Sequence, residues 1–166
     1  MNLTRIIRHL SAGQWLLRRS LPVATLTAIE QAIQQSETNH SGEICIAVEC
    51  ALNTLALIRN QTARERALEV FSQLRVWDTE QNNGVLIYLL LADRDVEIIV
   101  DQGIHAKVSN KEWENICHIM ESAFRQQQFE VGLIQGIQAI SQHLETHFPY
   151  DPNKDKNELT NKPTIL

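Results

Sequence analysis

At 166 residues, 43% hydrophobic and 21% charged, the chain has the size and composition of a single globular domain that buries its own core. A net charge of −5 speaks against nucleic acid as a partner, and three cysteines without a CxxC pair give neither a disulfide framework nor a thiol-redox motif. No apolar run reaches the roughly 20 residues a membrane-spanning helix needs, and no signal-peptide pattern opens the chain, so a cytoplasmic location is expected.

The first 22 residues carry Arg5, Arg8, Arg18 and Arg19 and no acid, so this segment is +4 and the remainder about −9. Leu3, Ile6, Ile7 and Leu10, then Trp15, Leu16 and Leu17, predict a short amphipathic helix broken near Gly13. The expectation is a basic helical segment over residues 1–22, packed on the domain with its arginines in water. The alternative use is an arm in peripheral contact with an anionic membrane or bound to a partner.

Pro22 punctuates, and a helix is expected to start at Thr25 or Thr27, the latter at capping-box spacing from Glu30. Its apolar stripe is Leu26, Ile29, Ala32 and Ile33, and it fades into Asn39-His40-Ser41-Gly42. Glu43 to Glu49 reads as a strand with no polar face, so both faces are covered. Residues 51–62 are irregular or partly helical. Thr62 with Glu65 opens a helix that runs to Leu74 and buries Ala63, Ala67, Val70, Phe71 and Leu74. Val76 to Gly84 is a long polar connection. Val85 to Ala92 and Val96 to Asp101 are strands joined at Asp93-Arg94-Asp95, a turn short enough to make them antiparallel neighbours. Ser109 with Glu112 opens a helix with Trp113, Ile116, Cys117, Met120 and Phe124 on its core face. The last helix runs from Phe129 to Leu144, and its Gly132 and Gly136 permit close approach to the sheet or to a neighbouring helix. From Pro149 the chain is rich in Asp, Asn, Lys, Pro and Thr, which predicts a disordered tail over 149–166. The elements together predict an α/β fold.

Among site patterns, GxGxxG, the P-loop, HExxH, GxSxG and the EF-hand loop are all absent, so no organic cofactor is expected. His143 and His147 stand at i,i+4, the spacing of a zinc pair, but no Cys or Asp beside them in sequence completes a shell, and a solvated helix end is the plainer reading. Cys45, Cys50 and Cys117 are expected to be free thiols in the interior. Glu43, Glu49, Asp78, Glu80, Asp93, Asp95 and Asp101 fall at strand ends or in adjoining loops, where open α/β sheets bind ligands. Converging there, they would suit Ca²⁺ or Mg²⁺, with Asn82 or Asn83 as further oxygen donors; otherwise they are solvated turn residues and caps.

Gly42 to Glu49, Asn83-Gly84-Val85-Leu86-Ile87-Tyr88, Ala92-Asp93-Arg94, Ile98 to Ile104 and Phe129-Glu130-Val131-Gly132-Leu133 together resemble the TPM-domain family over about residues 25–145. The chain looks most like its short bacterial members, in which the domain stands nearly alone. The resemblance implies a three-layer α/β/α fold with a small mixed sheet containing a β-hairpin, over residues 23–148. Some relatives bind Ca²⁺ in an acidic groove, plant lumenal relatives have been credited with weak acid phosphatase activity, and others are accessory factors for membrane complexes. Carried over by position, Glu43, Asn83, Asp93 and Asp101 are candidate ligands for Ca²⁺ or Mg²⁺, and Gly84, Arg94 and Gly103 are motif residues. No catalytic residue is assigned. Three functions are therefore weighed. The first is a binding or accessory module that holds a divalent cation and acts through an unknown protein partner. The second is a weak metal-assisted phosphatase in which Arg94 offsets phosphoryl charge. The third is a structural interaction protein that uses the basic N-terminal segment.

Overall fold

The computed structural model describes residues 3–151 and 157–166. β1 (Glu43–Glu49) and β2 (Gly84–Leu90) lie side by side and parallel, in register from Glu43–Gly84 to Glu49–Leu90. All seven residues of β2 are buried, as a strand without a polar side requires. β3 (Asp95–Val100) pairs antiparallel with β2, from Val85–Val100 to Leu90–Asp95, and makes the predicted hairpin. A fourth strand, β4 (Thr164–Ile165), pairs parallel with Ala47 and Val48 of β1, so the sheet order is β3-β2-β1-β4.

The period-2 alternation of the strands divides the apolar residues between two layers of helices. Ile44, Ile46, Val48, Val85, Ile87 and Leu89 face α3 (Val23–Ser36), α7 (Asn110–Arg125) and α8 (Phe129–His147). Cys45, Ala47, Leu86, Tyr88, Leu90 and Ile99 face the short α4 (Thr54–Ile58) and α5 (Ala63–Gln73). The result is the three-layer α/β/α architecture with a mixed sheet. Two of the three predicted capping boxes, Thr62–Glu65 and Ser109–Glu112, are present, and the third, Thr27–Glu30, is not. Gly132 and Gly136 admit the neighbouring helix: a Cβ at Gly132 would stand 2.7 Å from Phe124, and one at Gly136 would stand 2.3 Å from the Met120 sulfur.

The structure departs from the expectations at several points. α3 begins at Val23 with Pro22 at the cap, not at Thr25 or Thr27. Proline has no N–H to leave unsatisfied and its φ suits a helix start, which frees Thr25 to bond Glu130 at the start of α8 and Thr27 to bond the Val23 carbonyl. A short helix, α6 (Gln102–His105), follows β3, capped by Asp101. Of the tail expected to be disordered, 152–156 lie outside the described residues, and 157–166 run along β1. There Leu166 donates to the Val48 carbonyl at 2.9 Å and Asn161 is buried, donating to Glu37 at 2.6 Å. Composition missed this because an open sheet edge pairs with backbone, whatever the side chains.

The N-terminal segment forms α1 (Leu3–Ser11) and α2 (Gln14–Ser20). Leu17 and Leu21 enter the core, but α1 sits opposite to its predicted orientation: Arg5, Ile6 and His9 turn inward and Leu3, Ile7 and Leu10 face water.

Candidate functional site

Glu43 opens β1, Gly84 opens β2, and the two are register partners. Asn83 immediately precedes Gly84 and accepts the Glu43 N–H on its carbonyl at 3.3 Å. Asp101, just past β3, donates its N–H to the Gly84 carbonyl at 2.9 Å. Three of the four candidate ligands are thus gathered at one end of the sheet, around a single glycine. Gly84 itself has a packing role: a Cβ there would lie 2.0 Å from the Val76 carbonyl oxygen. Gly103 is similar, its missing Cβ 2.5 Å from the Asn82 carbonyl oxygen.

All three polar side chains are buried, Asn83 at 1%, Glu43 at 4% and Asp101 at 7% exposure. The Asn83 amide nitrogen donates to the Ser41 carbonyl at 2.6 Å, leaving its Oδ1 buried with no hydrogen-bond partner among the described residues. Asp101 Oδ1 accepts the Gln102 N–H at 2.6 Å and so caps α6, while its Oδ2 is likewise buried and unpartnered. Such orphaned acceptors are uncommon in folded proteins and call for an account. The Glu43 carboxylate accepts the backbone N–H groups of Glu158 and Leu159, each at 3.2 Å. The C-terminal segment is therefore part of this end of the sheet, which the sequence did not suggest. Among the described residues no three His, Cys, Asp or Glu side chains form a metal-holding group.

Asp93 is not part of this constellation. It lies in the β2–β3 hairpin at the opposite end of strands that span roughly 20 Å. Its Oδ2 accepts Arg5 Nε at 2.8 Å, and its Oδ1 accepts Arg8 and stands 3.0 Å from His9 Nε2. Burial raises the Asp93 pKa, but the hydrogen bonds and charges of Arg5 and His9 outweigh it and hold the carboxyl below its ordinary range. Burial lowers the pKa of His9, whose Nδ1 accepts the Leu52 N–H at 3.0 Å. Asp93 is thus an anchor for α1, with its oxygens already engaged. Arg94, beside it, is exposed with φ of 52° at the hairpin turn.

Glu49, Asp78 and His143 have partners of their own. Glu49 accepts Tyr88 Oη at 2.8 Å and Arg66 Nε at 2.9 Å, and Asp78 pairs with Arg75. His143 packs against Trp113 with ring centroids 5.4 Å apart. All three cysteines are free; burial pushes the Cys45 thiol up to about 11 and the Cys117 thiol up to about 12, so neither is a thiolate at neutral pH.

A family model described as the TPM domain matches residues 19–143. No curated protein matches the chain. Among solved structures, the BA42 protein from the psychrophilic bacterium Bizionia argentinensis is 31% identical with a TM-score of 0.77, over 88% of this chain and 95% of that one. The N-terminal domain of a P. gingivalis protein, 20% identical, shares the fold at a TM-score of 0.60 over 78% of this chain and 81% of that one. The match of the family model across most of the chain, the fold it shares with BA42 and the gathered strand-end motifs have one reading: the chain belongs to the TPM-domain family.

Proposed function

We propose that the chain is a non-catalytic TPM-domain accessory module that takes a divalent cation at the Glu43–Asn83–Asp101 end of its sheet and acts through a protein partner. The observation that carries the reading is the pair of buried, unpartnered oxygens, Asn83 Oδ1 and Asp101 Oδ2, at the strand ends that also hold the Glu43 carboxylate. Two carboxylates and an amide oxygen are hard donors, suited to Ca²⁺ or Mg²⁺, and water completes the shell of either ion. The cation competes for Glu43 with the backbone of residues 158 and 159, so its binding is coupled to the seating of the C-terminal segment. Hydrolysis has no comparable support, because Arg94, the guanidinium that reading needs, stands at the other end of the sheet from Asp101.

The test is a titration of the ¹⁵N-labelled chain with Ca²⁺ and then Mg²⁺. Saturable amide shifts are expected at Glu43, Asn83, Gln102, Glu158 and Leu159, and at least about tenfold weaker binding in Asp101→Asn, which keeps a competent helix cap while losing the charge. Absent shifts at millimolar cation, or shifts that survive in Asp101→Asn, would overturn the reading.

A further inference from the structure

α1 is held to the domain by its charged side. Arg5, Arg8 and His9 converge on Asp93, and Arg5 Nη1 reaches the Gln61 carbonyl at 2.9 Å. The apolar side is left outside: Leu3 is 64% exposed, Ile7 59% and Leu10 67%. Their spacing of four and then three residues puts them in one line along the helix. Trp15, 59% exposed, follows at the start of α2, with its indole N–H donating to the Ser11 carbonyl at 3.2 Å. Single exposed apolar residues are ordinary, but a row of three on one helix, with an exposed indole just beyond its end, marks a surface that something covers.

The rim of this row selects the occupant. Residues 3–22 contain no acid, and Arg18 and Arg19 are exposed on α2. Arg8 keeps half of its side chain in water, and exposed Arg94 adjoins the hairpin on which α1 is seated. An apolar row with an aromatic at its end and cations beside it has the chemistry of a helix lying in the headgroup layer of an anionic bilayer. The chain as a whole is at −5, so attraction to anionic lipid must be a property of this face and not of net charge. A second copy placed face to face would bring the same arginines together, which disfavours self-association through the row.

We propose that α1 and the start of α2 form a membrane-docking face, which lays Leu3, Ile7, Leu10 and Trp15 into an anionic lipid surface while Asp93 holds the helix by its other side. This deepens the accessory-module reading and does not depend on the cation site. The test is flotation of the full chain with vesicles of equal parts phosphatidylcholine and phosphatidylglycerol, in chelator so that the cation site plays no part. Co-flotation is expected with these vesicles and not with pure phosphatidylcholine. Ile7→Gln with Leu10→Gln should weaken it by more than about tenfold, since each loses an apolar side chain from the lipid. Both positions are exposed, so an unchanged amide spectrum outside α1 serves as the folding control. Arg18→Gln with Arg19→Gln should weaken flotation and flatten its salt dependence. A chain that stays with the unbound fraction, or a Gln variant that floats as well as its parent, overturns the proposal. A concentration-dependent dimer abolished by the same Gln pair would assign the row to a second copy and would also overturn it. Either failure leaves the cation titration at Glu43 and Asp101 untouched, so the two readings can fall separately.

Discussion

Asp95 is a half-buried carboxylate with no hydrogen bond or ion pair among the described residues. Burial first, then the charges of Glu97, Glu121 and Asp93, push its pKa up to about 6. The folded state therefore binds more protons at this site than the unfolded chain between pH 3.8 and about 6, and its contribution to stability falls as pH rises through that window. Asp95→Asn should accordingly stabilise the protein at pH 7.5 by about 1 kcal/mol, less than the full shift implies because solvent screens the site. The gain should disappear below about pH 4, where the wild-type acid is neutral in both states. Urea denaturation of both proteins at three pH values reads this directly; a variant less stable at pH 7.5 would refute the assignment. Asp93, two residues away, shows how local such outcomes are: three basic groups hold it ionised where Asp95 has none as a bonded partner.

Elements of this fold meet at distances that particular glycines set. The Val76 carbonyl lies where a Gly84 side chain would begin, so the loop before β2 folds back directly onto the strand. Gly84→Ala must move backbone and not merely a side-chain tip, and should cost about 3 kcal/mol or prevent folding. The measurement is thermal unfolding by circular dichroism. A variant as stable as its parent would show that this loop yields easily and would overturn the packing role of Gly84. The elements themselves were largely legible. Uninterrupted apolar runs marked β1 and β2, and reciprocal Ser/Thr and Glu spacing marked the starts of α5 and α7. The start of α3 was misjudged because Thr25 and Thr27 have the right chemistry for a cap, yet Pro22 occupies the turn before them.

At the scale of the molecule, the C-terminal segment connects the sheet edge to the acidic end. β4 adds backbone pairing at Ala47 and Val48, Asn161 bonds Glu37, and residues 158 and 159 cover Glu43. Deleting residues 157–166 should cost about 2 kcal/mol, the sum of a few exchanged hydrogen bonds. It should also tighten Ca²⁺ binding, because the Glu43 carboxylate loses its two backbone donors. Calorimetry of the truncated and full chains with Ca²⁺ separates the two effects; weaker binding after truncation would make the segment part of the cation shell instead of its competitor.

Three of the four strands, the longer helices and the family came from periodicity and short motifs, because alternation and capping act between residues a few positions apart and are written in the chain itself. Glu43, Asn83 and Asp101 could be named from their motifs, but their meeting around Gly84 depends on strand register, which pairs positions tens of residues apart. The same pairing carried Asp93 to the far end of the sheet and gave it to Arg5, Arg8 and His9. Amphipathicity correctly marked α1 as having two unlike faces. Which face turns inward was decided by Asp93, a half-buried acid 88 residues from Arg5 in the chain, whose need for compensating charge outweighed the burial of three aliphatic side chains.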